Sequence, residues 1–252
     1  MYGSYGSRKV FTEFRMIVLQ DVDGVSYPFK EQYIKWMREY YGNELSEEFY
    51  KDYENSNYTY LASYLLYKNN GISKEGMDVL KNKYPEYEKD TVRAIVRHTM
   101  RIFGDSHHFQ EGVYREILEL NYDLKKEGYK IIGVTARCCD KDKDFLYNDT
   151  RKKTAFWNKN ESVNLDEIRY IKTEKKSDIL ESIEEDILCF IEDDPNSLKG
   201  FLEKGVKCIL INKQNNQHDN LIKELKKEYP ELLSVFKTHE EAVNYVKVTL
   251  IK

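Results

Sequence analysis

Residues 16–25 read MIVLQDVDGV, an apolar run that ends in two aspartates and a glycine. The run predicts a strand, and the glycine releases the chain from it. Side chains alternate along an extended backbone, so Asp21 and Asp23 project from the same side of it. Two carboxylates this close repel each other unless a cation or a shared proton relieves the repulsion. The stretch therefore predicts a metal site at the end of a strand.

The composition limits the classes of protein that fit. The 252 residues suffice for one large domain, or for a core domain with a smaller inserted one. A hydrophobic fraction of 40% with 33% charged residues indicates a soluble globular protein. The formal net charge of -4 argues against a surface that holds extended nucleic acid. The sequence has neither an apolar run long enough to cross a bilayer nor a secretory signal, so we expect no membrane partner.

Cysteine usage predicts a reducing, cytoplasmic location. Cys138 and Cys139 are adjacent and poorly placed to form a disulfide with each other, whereas Cys189 and Cys208 lie inside apolar runs. This arrangement is neither a disulfide framework nor a set of zinc ligands. The oligomeric state is left open by the sequence.

Apolar runs alternate with helical patterns along most of the chain. Helices are predicted over residues 112–126, after Asp194-Pro195, and after Thr238, which forms a capping box with Glu241. The alternation predicts an α/β fold, a Rossmann-like and mainly parallel sheet flanked by helices. The predicted strands cover residues 15–20, 129–134, 168–171, 187–191 and 206–211.

Residues 27–108 do not follow this alternation and predict an inserted all-helical domain. The core domain would then comprise residues 1–26 and 109–252. The insertion is rich in tyrosine, and helical spacing favours a packing role for most of these rings over ligand stacking. The predicted helices cover residues 29–41, 46–53, 58–68, 73–83 and 87–103.

Polar side chains follow four of the predicted strands. Ligands in open parallel sheets bind beyond the carboxyl ends of the strands, so we expect these side chains to meet at one edge. They comprise two carboxylates after the first strand, a hydroxyl and a guanidinium after the second, then a group of lysines, then three acidic residues. They are Asp21 and Asp23; Thr135 and Arg137; Lys172, Lys175 and Lys176; and Glu192, Asp193 and Asp194.

Taken in order, these segments resemble the motifs of the haloacid dehalogenase superfamily of phosphohydrolases, and the insertion resembles the helical cap of one of its branches. The resemblance implies that Asp21 is the nucleophile and forms an aspartyl-phosphate. It implies that Asp23 protonates the leaving oxygen and later activates water. It also implies that Thr135 and Lys176 hold the phosphoryl oxygens.

The resemblance further implies a Mg²⁺ site. Asp21, the main-chain carbonyl of Asp23, and Asp193 would supply hard oxygen ligands. Glu192 or Asp194 would orient bound water or the residues around the ligands. Asp194 is alternatively only a helix cap.

Two further positions keep alternative interpretations. Lys176 precedes a predicted helix near Ser177 and is preferred as the phosphate-binding lysine, with Lys175 as its rival. Arg137 suits bidentate contact with phosphate, and its alternative is a surface salt bridge. His107 and His108 lie where the insertion rejoins the core, and we interpret them as polar residues beside the hinge.

The sequence thus predicts a magnesium-dependent phosphomonoesterase that acts on a small phosphorylated metabolite. Residues 21–25, 41–46 and 190–196 resemble the cytosolic 5′-nucleotidase and deoxynucleotidase-like group, which makes a nucleotide the leading substrate. The alternatives are a 3′-phosphatase that acts on nucleic-acid ends and a non-catalytic binding protein with the same fold.

Overall fold

A computed structural model of the chain describes residues 16–42, 45–54, 99–137, 147–213 and 218–251. These residues contain one parallel sheet of six strands in the order β3-β2-β1-β4-β5-β6. Five of the strands match the sequence prediction closely. The sixth was not predicted, because it has four residues at the sheet edge and only its first side chain is buried. The strands are β1 Ile17–Asp21, β2 Lys130–Thr135, β3 Glu167–Tyr170, β4 Ile187–Glu192, β5 Cys208–Ile211 and β6 Leu233–Phe236.

The central strand β1 lies between β2 and β4, and its register aligns the ends of all three. Asp21 lies beside Val134 of β2, and Gln20 lies beside Ile191 of β4. All three strands run in the same direction, so their carboxyl ends open onto one edge of the sheet. The predicted site residues Asp21, Thr135 and Glu192 are the final residues of these strands.

Helices cover both faces of the sheet. The predicted caps are confirmed: Thr238 accepts a hydrogen bond from the Glu241 amide, and Asp194 accepts one from the Asn196 amide. None of the described helices combines the length and apolar character needed to cross a bilayer. The α-helices are α1 Phe29–Tyr41, α2 Glu47–Glu54, α3 Arg115–Lys126, α4 Tyr147–Asn160, α5 Lys199–Glu203, α6 Asp219–Glu228 and α7 His239–Tyr245. Residues 99–105 are also helical, His107–Gln110, Thr173–Ser182 and Pro195–Ser197 are 3₁₀-helical, and Val246–Leu250 is a π-helical turn.

Two apolar clusters pack on opposite faces of the sheet, because side chains alternate along each strand. Val18 and Ile131 face a cluster that includes α1, α3, α4 and α7. Ile17, Leu19 and Ile132 face the other cluster, which includes α5 and α6. The sheet is thus buried on both faces, as the apolar strand sequences predicted.

The described part of residues 27–108 is packed around aromatic rings. The Tyr33 ring lies 5.0 Å from Trp36 and 5.1 Å from Phe103, between ring centroids. Tyr50 and Tyr53 are also buried, which agrees with the predicted packing role. Residues 58–68 and 73–83, most of 87–103, and Cys138 and Cys139 lie outside the described residues.

Candidate active site

A buried lysine lies between two carboxylates at the ends of β1 and β4. The Lys176 Nζ lies 2.9 Å from Oδ1 of Asp21 and donates a hydrogen bond of 2.7 Å to Oε2 of Glu192. The side chains of Lys176, Asp21 and Glu192 are 4%, 8% and 0% exposed. Hydrophobic residues of β1 and β4 deliver both carboxylates to this point, so their positions follow from the strand register.

The electrostatics of this group reflect crowded negative charge. Burial, and then the neighbouring Glu192 carboxylate, raise the pKa of Asp21 well above its usual range, although Lys176 acts in the opposite direction. Burial also raises the pKa of Glu192. Burial acts to lower the pKa of Lys176, but Asp21 and Glu192 outweigh it and raise the pKa. The ammonium group is therefore held in its charged form between the two acids.

Asp193 completes the acidic group through a close approach to Gly24. Gly24 has a φ of +81°, and a Cβ atom there would lie 1.9 Å from Oδ2 of Asp193. Only glycine satisfies both the left-handed backbone and this contact. Burial, followed by the charge of Asp21, raises the pKa of Asp193 to about 8.

The donor set fits a Mg²⁺ ion. Carboxylate oxygens of Asp21, Glu192 and Asp193 all lie within 4.8 Å of one another. Burial raises the pKa of all three acids even though Lys176 contacts Asp21 and Glu192, so one ammonium does not fully compensate their ionised forms. Carboxylate oxygens are the hard ligands that Mg²⁺ prefers, and a divalent cation would relieve the excess charge.

Asp23 faces a different cation. The Nε atom of Arg137 donates to both carboxylate oxygens of Asp23 at 2.9 Å, and its NH2 group also donates to Oδ1. The Thr135 hydroxyl donates to Oδ2 of Asp23 at 3.3 Å and accepts a bond of 3.1 Å from the Arg137 amide. The Arg137 side chain is only 6% exposed. Arg137 thus forms a salt bridge, as the alternative interpretation has it, but its side chain is buried and does not lie on the surface.

Aromatic rings surround the Arg137 guanidinium. Its Cζ atom lies 4.4 Å from the ring centroid of Tyr27, 4.5 Å from Phe109 and 5.9 Å from Trp157. The NH1 group donates to Oγ1 of Thr154 at 3.4 Å. Burial acts to lower the pKa of Arg137, but Asp23 outweighs it and raises the pKa, so the group stays charged.

Two of the predicted site residues lie apart from both groups. Lys175 is exposed, whereas Lys176 occupies the buried position between the carboxylates. The Oδ1 atom of Asp194 accepts hydrogen bonds from the amide of Asn196 at 3.0 Å and from its side-chain Nδ2 at 2.7 Å. Asp194 therefore caps Pro195–Ser197, which is the alternative interpretation, and its side chain lies outside the acidic group. Nε2 of His108, beside the insertion, lies 2.9 Å from Oε1 of Glu39.

The structure contains a third group, around His239, that was not predicted from the sequence. Nε2 of His239 lies 3.1 Å from the carbonyl oxygens of both Gly24 and Val25, and its ring stacks on Tyr114 at 3.8 Å. The Lys213 Nζ donates to the Tyr114 hydroxyl at 2.6 Å. Lys213 follows strand β5, so its position beyond the carboxyl end of a strand could have marked it as a site residue. Thr154 and Trp157 lie on helix α4, which was not predicted, so the sequence did not indicate them.

Comparison with known proteins identifies the fold. No protein-family model matches the sequence, and no curated protein matches it. YfnB from Bacillus subtilis, described as a HAD-hydrolase and solved with bound magnesium, matches with a TM-score of 0.56 at 14% identity, covering 93% of this chain and 98% of that one. A haloacid dehalogenase-like hydrolase from Streptococcus pneumoniae matches with a TM-score of 0.52 at 14% identity, covering 91% and 97%.

These matches define the class of the protein as α/β, with a Rossmann-like parallel sheet flanked by helices, which confirms the predicted fold class. More narrowly, the chain has the fold of the haloacid dehalogenase superfamily. At 14% identity the likeness establishes the fold, and the chemistry must be argued from the side chains.

Proposed function

We propose that this protein is a magnesium-dependent phosphomonoesterase of the haloacid dehalogenase superfamily. The observation that carries the proposal is the buried group at the ends of β1 and β4. There Lys176 lies 2.9 Å from Asp21, and carboxylate oxygens of Asp21, Glu192 and Asp193 lie within 4.8 Å of one another. The shared fold with proteins described as haloacid dehalogenase-like hydrolases supports a hydrolase.

Asp21 is the proposed nucleophile. Its carboxylate oxygen forms a bond to phosphorus as the bond from phosphorus to the leaving oxygen breaks, which gives an aspartyl-phosphate. Lys176 offsets negative charge on Asp21 and on the phosphoryl oxygens. When bound, Mg²⁺ supplies further charge neutralisation; Asp21, Asp193 and the main-chain carbonyl of Asp23 would hold it, with Glu192 beside them.

Asp23 is the proposed proton carrier. It gives a proton to the leaving oxygen in the first step, and it takes a proton from water in the second, as the water oxygen attacks phosphorus and Asp21 is released. Thr135 is the other proposed donor to the phosphoryl oxygens. Its hydroxyl donates to Asp23 in this structure, so it turns when phosphate binds.

The proposed substrate is a small phosphorylated metabolite, with a nucleotide as the leading candidate. Residues 27–108 are proposed as a cap over a core of residues 1–26 and 109–252, which would exclude water during transfer and select the substrate. The buried position of Asp21 is consistent with a reaction protected from bulk water. A cytoplasmic location is proposed from the cysteines, of which Cys189 and Cys208 are buried and free.

Hydrolysis of para-nitrophenyl phosphate tests the proposal. Purified protein should release p-nitrophenolate only when Mg²⁺ is present, and Asp21→Asn should lose at least about a thousandfold in kcat because the nucleophile is gone. Circular dichroism and the thermal midpoint of the variant check that it is folded. Equal inactivity of the wild type and Asp21→Asn across a panel of phosphate esters would contradict an enzyme and favour a binding protein. Activity confined to oligonucleotides with a 3′-phosphate, with salt-dependent affinity, would favour the nucleic-acid alternative.

A further inference from the structure

The contacts of Arg137 differ from those of a ligand for substrate phosphate. We propose that Arg137 is a positioning residue that fixes the carboxylate of Asp23 for proton transfer and does not bind the phosphoryl group. The inference rests on the proposed function, because it assigns a role within that reaction. It replaces the sequence prediction that Arg137 contacts phosphate.

The nitrogen atoms of the Arg137 side chain donate hydrogen bonds within the protein. Nε donates to both oxygens of Asp23, NH2 donates to Oδ1, and NH1 donates to Thr154 at 3.4 Å. A guanidinium binds phosphate best through the same parallel pair of N–H groups that here point at Asp23. To bind phosphate, Arg137 would therefore have to give up the fork that holds Asp23.

The surroundings of the Arg137 guanidinium restrict its movement. Tyr27, Phe109 and Trp157 surround it, and two of these rings are themselves anchored. The Tyr27 hydroxyl donates to the carbonyl of His108 at 2.6 Å, and Trp157 Nε1 donates to the carbonyl of Gly112 at 2.8 Å. A guanidinium held by packed rings at a 6% exposed position cannot swing toward a substrate without opening the core.

Proton transfer by Asp23 depends on the orientation of its carboxyl group. A carboxylic acid protonates a leaving oxygen efficiently only from within hydrogen-bond reach and in the right orientation. Fork-to-fork pairing with Arg137 restricts rotation of the Asp23 carboxylate, and it does not depend on the Thr135 hydroxyl, which turns from Oδ2 to a phosphoryl oxygen. Arg137 itself exchanges no proton, because a guanidinium stays charged throughout.

Leaving-group dependence tests this role. Para-nitrophenolate departs with little help from a proton, whereas the phenolate of phenyl phosphate is a much poorer leaving group of nearly the same shape. The value of kcat/KM reports the steps through departure of the leaving group. For Arg137→Gln we expect kcat/KM to fall on the order of a hundredfold with phenyl phosphate but less than about fivefold with para-nitrophenyl phosphate. Arg137→Lys should show the same selectivity, because an ammonium keeps the charge but lacks the fork.

Three controls accompany the measurement. Arg115→Gln, at a side chain that is 89% exposed, should leave both substrates unaffected. Asp23→Asn should reproduce the selectivity of Arg137→Gln. The double variant should show little further loss of kcat/KM, since Arg137 acts only through Asp23 in this proposal. If the Arg137 variants do not fold, Thr154→Val keeps the arginine, removes its NH1 partner, and should show a smaller loss that is again confined to phenyl phosphate.

An equal loss on both substrates, with a rise in KM, would show that Arg137 binds phosphate and would overturn the inference. Unchanged kinetics in a folded Arg137→Gln protein would also overturn it. If only Thr154→Val can be measured, an equal fall in kcat/KM on the two substrates, or no fall on either, would likewise overturn the inference. Inactivity of the wild type toward both esters would instead overturn the proposed function, and this inference with it.

Discussion

Asp21 and Asp23 lie two residues apart, yet each has a different buried cation. Lys176 is shared between Asp21 and Glu192, with Asp193 close by, so ionisation of all three acids would leave an excess of negative charge. Arg137 pairs with the carboxylate of Asp23 through a fork that matches it. One group is therefore incomplete without a further cation, and the other is balanced and fixed in orientation.

The difference follows from the two kinds of cationic side chain. An ammonium is a compact point charge that several oxygens can share, whereas a guanidinium imposes a plane on a single partner. The group around Asp21 (Asp21, Lys176, Glu192 and Asp193) thus suits binding of a metal and a phosphoryl group. The pair of Asp23 and Arg137 suits directed transfer of a proton.

The largest effect is expected when the shared lysine is removed. Lys176→Met leaves the crowded carboxylates without their ammonium, and breaking a buried pair in this way costs about 3–5 kcal/mol in the free energy of unfolding. Activity should fall at least about a hundredfold. Urea denaturation and phosphatase assays check this, with Lys175→Met at the neighbouring exposed position as the matched control. Equal effects of the two changes would contradict the assignment of Lys176.

A smaller effect on folding, but a clear one on metal binding, is expected from Asp193→Asn. The change removes one Mg²⁺ ligand and should weaken Mg²⁺ affinity by more than about tenfold, as measured by isothermal titration calorimetry. Without Mg²⁺ the variant should be at least as stable as the wild type, because asparagine cannot ionise in the buried position beside Asp21 that raises the pKa of Asp193. Asp194→Asn is the control, since asparagine also caps a helix and this side chain lies outside the acidic group. Unchanged Mg²⁺ affinity in Asp193→Asn would exclude it as a ligand.

The smallest effect concerns His239, which contacts the loop that follows Asp21 and carries Asp23. Burial, and then Lys213, lower the pKa of His239 to about 4 in the folded protein, although Glu116 acts in the opposite direction. An unfolded histidine titrates near 6.5, so between about pH 6.5 and 4 the unfolded chain binds a proton that the folded protein does not. The free energy of unfolding should therefore decrease as the pH is lowered. At pH 5 the contribution of His239 to this decrease, relative to neutral pH, is about 2 kcal/mol.

His239→Gln isolates that contribution, because glutamine can still donate to the Gly24 and Val25 carbonyls but does not titrate. Urea unfolding of both proteins at pH 7.5, 6 and 5 should show the wild type losing more stability than the variant as pH falls. Parallel pH profiles for the two proteins would show that His239 is not held neutral against this loop.

Much of the Asp21 group could be predicted from the sequence, because it depends only on where parallel strands end. Asp21 and Glu192 are the last residues of buried apolar strands, and a strand fixes the position of its final residue closely. Lys176, which the sequence favoured over Lys175, is the lysine that lies between Asp21 and Glu192, and its phosphate-binding role stays a prediction. Residues 55–98, which belong to the proposed cap, lie outside the described residues, so the predicted role of the cap stays a prediction.

The partner of Asp23 could not be predicted in the same way. Arg137 lies two residues beyond β2, where the chain has left the sheet and the strand no longer fixes side-chain direction. Its aromatic surroundings include Trp157 on helix α4, which carries few apolar residues and gave no clear helical pattern. Contacts between a loop residue and a weakly amphipathic helix depend on tertiary packing, which sequence periodicity does not encode.

Trapping of a covalent intermediate tests the division of roles between Asp21 and Asp23 most directly. Wild type, Asp21→Asn and Asp23→Asn would be mixed with para-nitrophenyl phosphate and Mg²⁺, quenched in acid and examined by intact-protein mass spectrometry. We expect Asp23→Asn to accumulate one phosphoryl group, because this good leaving group departs without a proton while hydrolysis of the aspartyl-phosphate lacks its base. Asp21→Asn should carry none. A phosphoryl adduct on Asp21→Asn, or its absence from both the wild type and Asp23→Asn during turnover, would contradict the account.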